Sequence, residues 1–373
     1  MERLKSKWWV GVCGILIIFT WVNGFAFERV KFAVLADPHL GMAVEGIKDE
    51  FKMTVSSCLL LRNAVKELNK IPDLDFVVLC GDLTLDAEPW NLEMLKTILD
   101  ELRAPYYIVL GNHDLSPVPL PRKFPGPPPA RGVTRAEFVW AFQGHGYSGP
   151  DYWWSCDPIP GLHLIGLDTN LPGSWGGHIP EAEKRWLERD LFANKDKLTI
   201  VFAHHNFVPW HKDDASGVGE GSWKDYGNFL VDNAEEIRAI FEKYPNVCFV
   251  MSGHRHIGLR YKELNGVYYF VHPAVCSYPM RYTVYTLTYD ELSWESKDIP
   301  APADVWKRAK ENCIGEPGKW WRCSDHPETP EGDKKMLEFF EAKEYMKGKV
   351  PVRFKPGMGL LEKEASEAVA LQY

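Results

Sequence analysis

Carboxylate, amide and imidazole side chains recur in this chain at one kind of position, directly after a short apolar run. "FAVLADPHLG" delivers Asp37 and His39, and "FVVLCGDLT" delivers Asp82. "YYIVLGNHD" delivers Asn112, His113 and Asp114. "TIVFAHHN" delivers His204 and His205, and "CFVMSGHRH" delivers His254 and His256. Carboxylate and amide oxygens mixed with imidazole nitrogens suit Fe, Mn or Zn better than an all-oxygen calcium cage or a thiolate zinc site. Asp37, His39, Asp82, Asn112, His204, His254 and His256 are too many donors for one ion; they suit two ions that share a carboxylate. Taken singly, each feature is ordinary. A Gly-Asp after a strand is usually a turn, and an isolated His is usually packed or on the surface. The weight lies in one pattern repeated at successive strand ends.

Bringing such groups together requires strands that end along one edge. Apolar runs at Phe32–Ala36, Phe76–Cys80, Tyr106–Leu110, Leu162–Leu167, Thr199–Ala203 and Val247–Ser252 read as strands. Helical patterns alternate with them at about 48–69, 89–102, 180–193 and 226–243, with Leu59, Leu60, Val65 and Leu68 on one side of the first. This alternation predicts an α/β fold with largely parallel central strands. In such sheets the carboxyl ends of the strands line one crevice, where ligands bind. Tyr261–Tyr289 reads as consecutive strands with a hairpin at Asn265-Gly266. Residues 27–299 are expected to form one domain, and 300–373 an extension packed on it with a helix at about 331–347. The proline-rich stretch from Leu115 to Gly132 is too long for a simple connection and is expected to border the site.

The ordered set D-x-H, G-D, G-N-H-[DE], H and G-H-x-H resembles the calcineurin-like metallophosphoesterase family over roughly residues 30–290. The resemblance implies a four-layer αββα sandwich of two mixed sheets, with a dinuclear metal site at the strand ends. It implies that Asp37, His39, Asp82 and His256 hold one ion. Asp82, Asn112, His204 and His254 would hold the other, with Asp82 bridging. His113 would face the substrate, and Asp114 would orient it. His205 is read as a support behind the ligands or a pocket residue, and His211 as a pocket residue or a surface one. Two divalent ions, two carboxylates and a hydroxide sum to about +1, which allows an acidic protein to attract a phosphoester. Metal-bridging hydroxide would attack phosphorus in line, and His113 would stabilise or protonate the leaving group.

Within the family, "GDLTLDAEPWNLEMLKTILDEL" and "LDTNLPGSWGGHIPEAEKRWLERDL" are most similar to the branch of class III cyclic-nucleotide and glycerophosphodiester phosphodiesterases. Leu85 stands where purple acid phosphatases carry a tyrosine, and the Ser/Thr phosphatase signature is absent. A phosphodiesterase is therefore expected, with a phosphomonoesterase and a non-catalytic metal-binding relative as alternatives. The complete ligand set and His113 speak against the last. Asn206 replaces the proline often found after the histidine pair. Trp153, Trp154, Trp175, Trp210 and Trp223 are expected either at the substrate rim or in the core.

The chain has 373 residues, a net charge of -8 and a pI of about 5.9. With no basic stripe, a nucleic-acid partner is not expected, and a small phosphoester is. Arg3, Lys5 and Lys7, the apolar run Trp8–Val22, and Gly24 and Ala26 predict a signal peptide over 1–26 and an exported protein. Uncleaved, that segment would be a membrane anchor, since it could just span a core of ~30 Å. Of eight cysteines Cys13 precedes the cut, which leaves seven, and Cys313 and Cys323 are the expected disulfide pair.

Overall fold

Strands rich in Val, Ile, Leu and Phe without polar alternation are strands buried on both faces. A computed structural model describes residues 27–42, 48–115, 132–171, 174–216 and 229–354. Its elements begin with β1 (Arg29–Leu35), α1 (Ser57–Leu68), β2 (Phe76–Cys80), α2 (Pro89–Leu99), β3 (Tyr106–Val109) and α3 (Arg135–Ala141). Next come β4 (Trp154–Ile159), β5 (Leu162–Gly166), α4 (Glu181–Ala193), β6 (Leu198–Phe202), α5 (Lys212–Ser216) and α6 (Ala234–Lys243). β7 (Val247–Ser252), β8 (Arg260–Leu264), β9 (Val267–Val271), β10 (Arg281–Thr288) and β11 (Glu291–Asp298) follow. The described chain closes with α7 (Ala303–Ile314), α8 (Pro330–Glu341) and β12 (Lys347–Pro351).

Among the described residues these strands form two mixed six-stranded sheets, in the orders β12-β11-β10-β1-β2-β3 and β4-β5-β6-β7-β9-β8. In the first, β1, β2 and β3 are parallel, and β10, β11 and β12 continue antiparallel from β1. In the second, β5, β6, β7 and β9 are parallel, with antiparallel β4 and β8 at the edges. The sheets meet through an aromatic layer. Phe270 of β9 packs edge-on against Tyr285 of β10 and Trp294 of β11, with centroids 5.8 and 5.3 Å apart. His272 Nε2 lies 2.8 Å from the Tyr285 hydroxyl across the same layer. This is the expected αββα arrangement.

The loops after the strands are tied to one another. Asp37 N–H donates to the Gly81 carbonyl (3.2 Å), His39 N–H to Asp82 (2.9 Å) and Gly253 N–H to His204 (3.1 Å). The carboxyl ends of β1, β2, β6 and β7 therefore open into a common crevice.

Several elements differ from expectation. The helix expected from residue 48 begins only at Ser57, because the Asp49 carboxylate takes the Ser56 N–H (3.0 Å) and hydroxyl (2.8 Å) and folds 48–56 into a loop. Leu59, expected on the buried side, is 40% exposed. The helix expected from residue 226 starts at Ala234, beyond a β-bridge between Asn206 and Leu230. α7, β4 and β12 were not expected. α7 buries only Val305, Ala309 and Cys313, and β12 only Val350, so neither carries a strong apolar pattern. β12 pairs with β11, which joins the chain beyond Pro300 to the first sheet. Cys313 and Cys323 are separate buried thiols, not a disulfide, and Cys323 Sγ lies 3.4 Å from Arg255 Nη2. The expected signal segment, Trp223 and most of the proline-rich stretch lie outside the described residues. Among the described residues no helix is long and apolar enough to cross a membrane.

Candidate metal centre

The donors of the crevice floor lie two to four positions past a strand. The backbone there is unusual. Asp37, His39, Asp82, His254 and His256 adopt φ values of 50°, 38°, 51°, 68° and 52°, a region L-residues rarely occupy. Such strain persists only where the surroundings over-determine it, and it concentrates at functional sites. Two glycines permit the packing. A Cβ at Gly253 would come 2.6 Å from the Asp37 carboxylate, and one at Gly111 would come 2.0 Å from the Asp82 nitrogen. The Gly111 φ of -108° and ψ of 170° are ordinary extended backbone, so close approach is what requires the glycine.

On one side, ligand atoms of Asp37, His39, Asp82 and His256 all lie within 4.8 Å of one another, and all four residues are buried. His39 Nε2 is 3.1 Å from His256 Nε2 and 3.2 Å from Asp82 Oδ2. His256 Nε2 is 3.3 Å from Asp37 Oδ1. On the other side, His204 Nε2 is 3.3 Å from Asp82 Oδ1, 3.0 Å from Asn112 Oδ1 and 3.0 Å from His254 Nδ1. Asp82 thus reaches both groups, one carboxylate oxygen towards each.

Hydrogen bonds from outside aim the donors. His204 Nδ1 meets the Cys80 carbonyl at 2.9 Å, and His256 Nδ1 meets the Ser277 hydroxyl at 3.0 Å. Both Asp37 oxygens accept from the His254 N–H at 3.0 Å. Facing nitrogens 3.1 Å apart, ringed by carboxylates, form a poor hydrogen-bond network but a good donor set for cations. The electrostatics agree. Burial opposes charge on His204, yet the Asp82 and Asp37 carboxylates carry it up to about 9. Asp82 itself is held well below the carboxylate range: burial opposes this, and the His204, His113 and His39 imidazoles outweigh it. The crevice draws positive charge, and the chemistry of its donors fits two divalent ions.

His113 stands beside the floor. Its Nδ1 faces two acceptors, the Leu85 carbonyl at 2.7 Å and Asp86 Oδ1 at 2.9 Å, so the proton sits on Nδ1. Asp114, expected to orient this ring, does not touch it. Its carboxylate accepts from the backbone N–H groups of Leu83 (3.0 Å), Thr84 (2.7 Å) and Gly111 (3.0 Å), which locks the β2 and β3 loops together. Asp86 is the orienting carboxylate. It lies four residues beyond Asp82 within "GDLTLDA", and that spacing was the available signal.

Of the two further histidines, His205 supports a ligand from behind and His211 leaves the crevice. His205 packs its ring against His254 with centroids 4.3 Å apart, but its nitrogens are engaged by the Thr169 hydroxyl (2.8 Å) and the Trp175 carbonyl (3.0 Å). Burial and the His204 charge hold it down to about 3, so it stays neutral. His211 turns to the chain beyond Pro300, with Nε2 2.9 Å from Asp325 and Nδ1 3.2 Å from Asp213. Asn206 ties the two histidine loops, donating to the Gly253 carbonyl (3.1 Å) and accepting from Trp210 Nε1 (2.8 Å). His178 is partly exposed and paired with Asp232 at 2.6 Å, away from the donors.

The tryptophans divide as well. Trp154 and Trp210 are buried core. Trp153 pairs with Trp186, centroids 6.2 Å apart. Among the described members of the expected set, Trp175 is the one that reaches His113, with centroids 4.8 Å apart. Three aromatics that sequence reasoning missed complete the rim. Trp321 stacks on His256 (4.7 Å) and on Phe51 (4.4 Å), and Phe229 sits 6.0 Å from Trp321. Lys52 was also missed; its ammonium lies 2.9 Å from His113 Nε2 and 3.3 Å from His39 Nδ1.

Comparison with known proteins agrees with this geometry. Residues 30–258 match the sequence model of a family described as calcineurin-like phosphoesterase. A 3',5'-cyclic-nucleotide phosphodiesterase from Nostoc sp. is 24% identical over 247 residues, 66% of this chain and 79% of that protein. A glycerophosphodiester phosphodiesterase from Enterobacter lignolyticus is 24% identical over 195 residues, 52% of this chain and 60% of that protein. A dimetal phosphatase from Danio rerio shares the fold, with a TM-score of 0.55 at 16% identity, covering 74% of this chain and 98% of that one.

Proposed function

The chain belongs to the calcineurin-like phosphoesterase family, and from that premise we propose that it is a metal-dependent hydrolase of small phosphodiesters. The observation that carries this reading is the double donor cluster bridged by Asp82, with His113 beside it. Asp37, His39, Asp82 and His256 would hold one ion, and Asp82, Asn112, His204 and His254 the other. Fe, Mn and Zn are the ions this oxygen and nitrogen set favours. When bound, two such ions make hydroxide available near neutral pH and polarise phosphoryl oxygens.

The chain's own residues do the rest. Asp86 and the Leu85 carbonyl fix the His113 ring, so that Nε2 faces the reacting group. With a proton on Nε2 as well, the ring donates to the leaving oxygen as charge builds there. His205, kept neutral, adds no charge to the donor cluster and buttresses His254. Trp175, Trp321 and Phe229 offer flat apolar surface to the substituents of a diester, such as a base or an acyl-glycerol unit. Relatives named for cyclic nucleotides and for glycerophosphodiesters support the diester class.

A direct assay tests this reading. The full chain, loaded with Mn(II), is offered bis(4-nitrophenyl) phosphate and 4-nitrophenyl phosphate. A higher kcat/KM for the diester is expected. A preference of about ten-fold or more for the monoester would make the protein a phosphatase instead.

A further inference from the structure

Lys52 lies in no motif of the site, yet it reaches the reactive edge of His113. Because His113 carries its proton on Nδ1, the lone pair of Nε2 points at the Lys52 ammonium, 2.9 Å away. The lysine is held there by its loop. Phe51 and Met53 on either side are buried, which turns the intervening side chain towards the crevice. The Lys52 carbonyl accepts the N–H groups of Thr54 (2.8 Å) and Glu50 (3.1 Å), and Met53 N–H donates to Cys276 at 2.6 Å. α7 clamps the loop from outside. Asn312 Nδ2 donates to the Glu50 and Asp49 carbonyls at 2.8 and 3.2 Å, and Arg308 pairs with Asp49 at 3.3 Å. Trp321 stacks on Phe51 over the same segment.

We propose that Lys52 is a substrate-binding residue whose ammonium holds a nonbridging phosphoryl oxygen beside His113, and that α7 positions it. The inference rests on the phosphoester reading above, because it is a phosphoryl group next to His113 that brings an anionic oxygen within reach of Nζ. A lysine suits that task as a compact point charge with three donors. Its charge-assisted hydrogen bond strengthens as negative charge builds on the phosphoryl oxygens. Ions held by Asp and His donors and a lysine held by the 49–53 loop would thus grip the phosphoryl group from two sides. The two sides have separate structural origins but meet where Lys52 Nζ lies 3.3 Å from His39 Nδ1, so metal content is read beside phosphate affinity.

The experiment uses the full chain loaded with Mn(II) and three variants, Lys52→Gln, Lys52→Arg and Asn312→Ala. Affinity for inorganic phosphate is measured by calorimetry, metal content by elemental analysis, and kcat and KM with bis(4-nitrophenyl) phosphate. Lys52→Gln is expected to weaken phosphate binding on the order of ten-fold or more, with unchanged metal content. Lys52→Arg should recover much of the loss, and Asn312→Ala should show a smaller loss of the same kind. Phosphate affinity unchanged in Lys52→Gln would overturn the proposal. So would loss of metal in that variant, which would make Lys52 a support for the ligands instead. If the parent protein hydrolyses no phosphoester at all, the functional reading fails; if it does and Lys52→Gln binds phosphate normally, only the role of Lys52 fails.

Discussion

The floor and the rim of the crevice are built in different ways. Every floor residue lies within a few positions of the end of β1, β2, β3, β6 or β7, so the sheets set its place almost directly. The rim is assembled from far apart in the chain: Phe51 and Lys52 from an irregular loop, Trp175 from the loop before α4, Phe229 from before α6, and Trp321 from beyond Pro300. The floor is polar, buried and backbone-strained. The rim is largely aromatic and rests on side-chain packing. The difference separates two tasks. Ion binding needs donors held to fractions of an ångström, which strand ends provide. Substrate choice needs surfaces that can vary without disturbing them, which loops provide.

Substitutions can break or sharpen that contrast. The largest effect is expected at the floor. Asp82→Ala should lose at least one ion and lower kcat on the order of a thousand-fold, since bound ions supply several kcal/mol of transition-state stabilisation. Elemental analysis that finds full metal stoichiometry in this variant would refute the bridging role.

His113→Ala comes next. Metal content should stay near that of the parent while kcat falls about 10²- to 10⁴-fold. Loss of both ions, or unchanged turnover, would count against its place between floor and substrate. Asp86→Asn should show a weaker version of the same kinetic defect.

Trp321→Ala tests the rim. Removing one stacking surface should raise KM about three- to ten-fold and leave metal content and kcat near the parent values. A fall in metal content would mean that rim and floor are not separable.

The smallest effect on activity is expected at His272, a buried imidazole between the sheets and outside both regions. Its Nδ1–H donates to the Ser252 carbonyl (3.0 Å), and Nε2 accepts from the Tyr285 hydroxyl (2.8 Å). Burial lowers its pKa from 6.5 to about 4. The unfolded chain therefore binds a proton between about pH 6.5 and pH 4 that the folded chain refuses. Stability from this group is full above pH 6.5 and is lost as pH falls towards 4, by up to about 3 kcal/mol. Denaturant titrations of the parent and His272→Asn should diverge over that window. Parallel pH profiles would contradict the assignment.

The same contrast explains what could be read in the sequence. Asp37, His39, Asp82, Asn112, His204, His254 and His256 were legible because each follows an apolar run, and parallel strands must end on one side. The central strands were legible for the same reason: they are buried on both faces and carry unbroken apolar runs. The rim was not. Nothing near Lys52 or Trp321 announces a site, because what brings them to the crevice is contact between segments some 270 residues apart (Phe51 with Trp321). α7 and β12 escaped because each buries one narrow stripe or a single side chain. Asp114 was misassigned through proximity in sequence: four residues along "GDLTLD" from Asp82, Asp86 reaches His113, while the adjacent Asp114 turns to the backbone.

The central claim is that two ions bridged by Asp82 run the chemistry. Mn(II) titrated into metal-stripped full-length protein, with bis(4-nitrophenyl) phosphate hydrolysis followed at each step, tests it most directly. Turnover should rise to its plateau only as the second equivalent binds, and Asp82→Ala should never reach it. Full turnover at one equivalent or none, or an Asp82→Ala plateau equal to the parent's, would contradict a bridged pair.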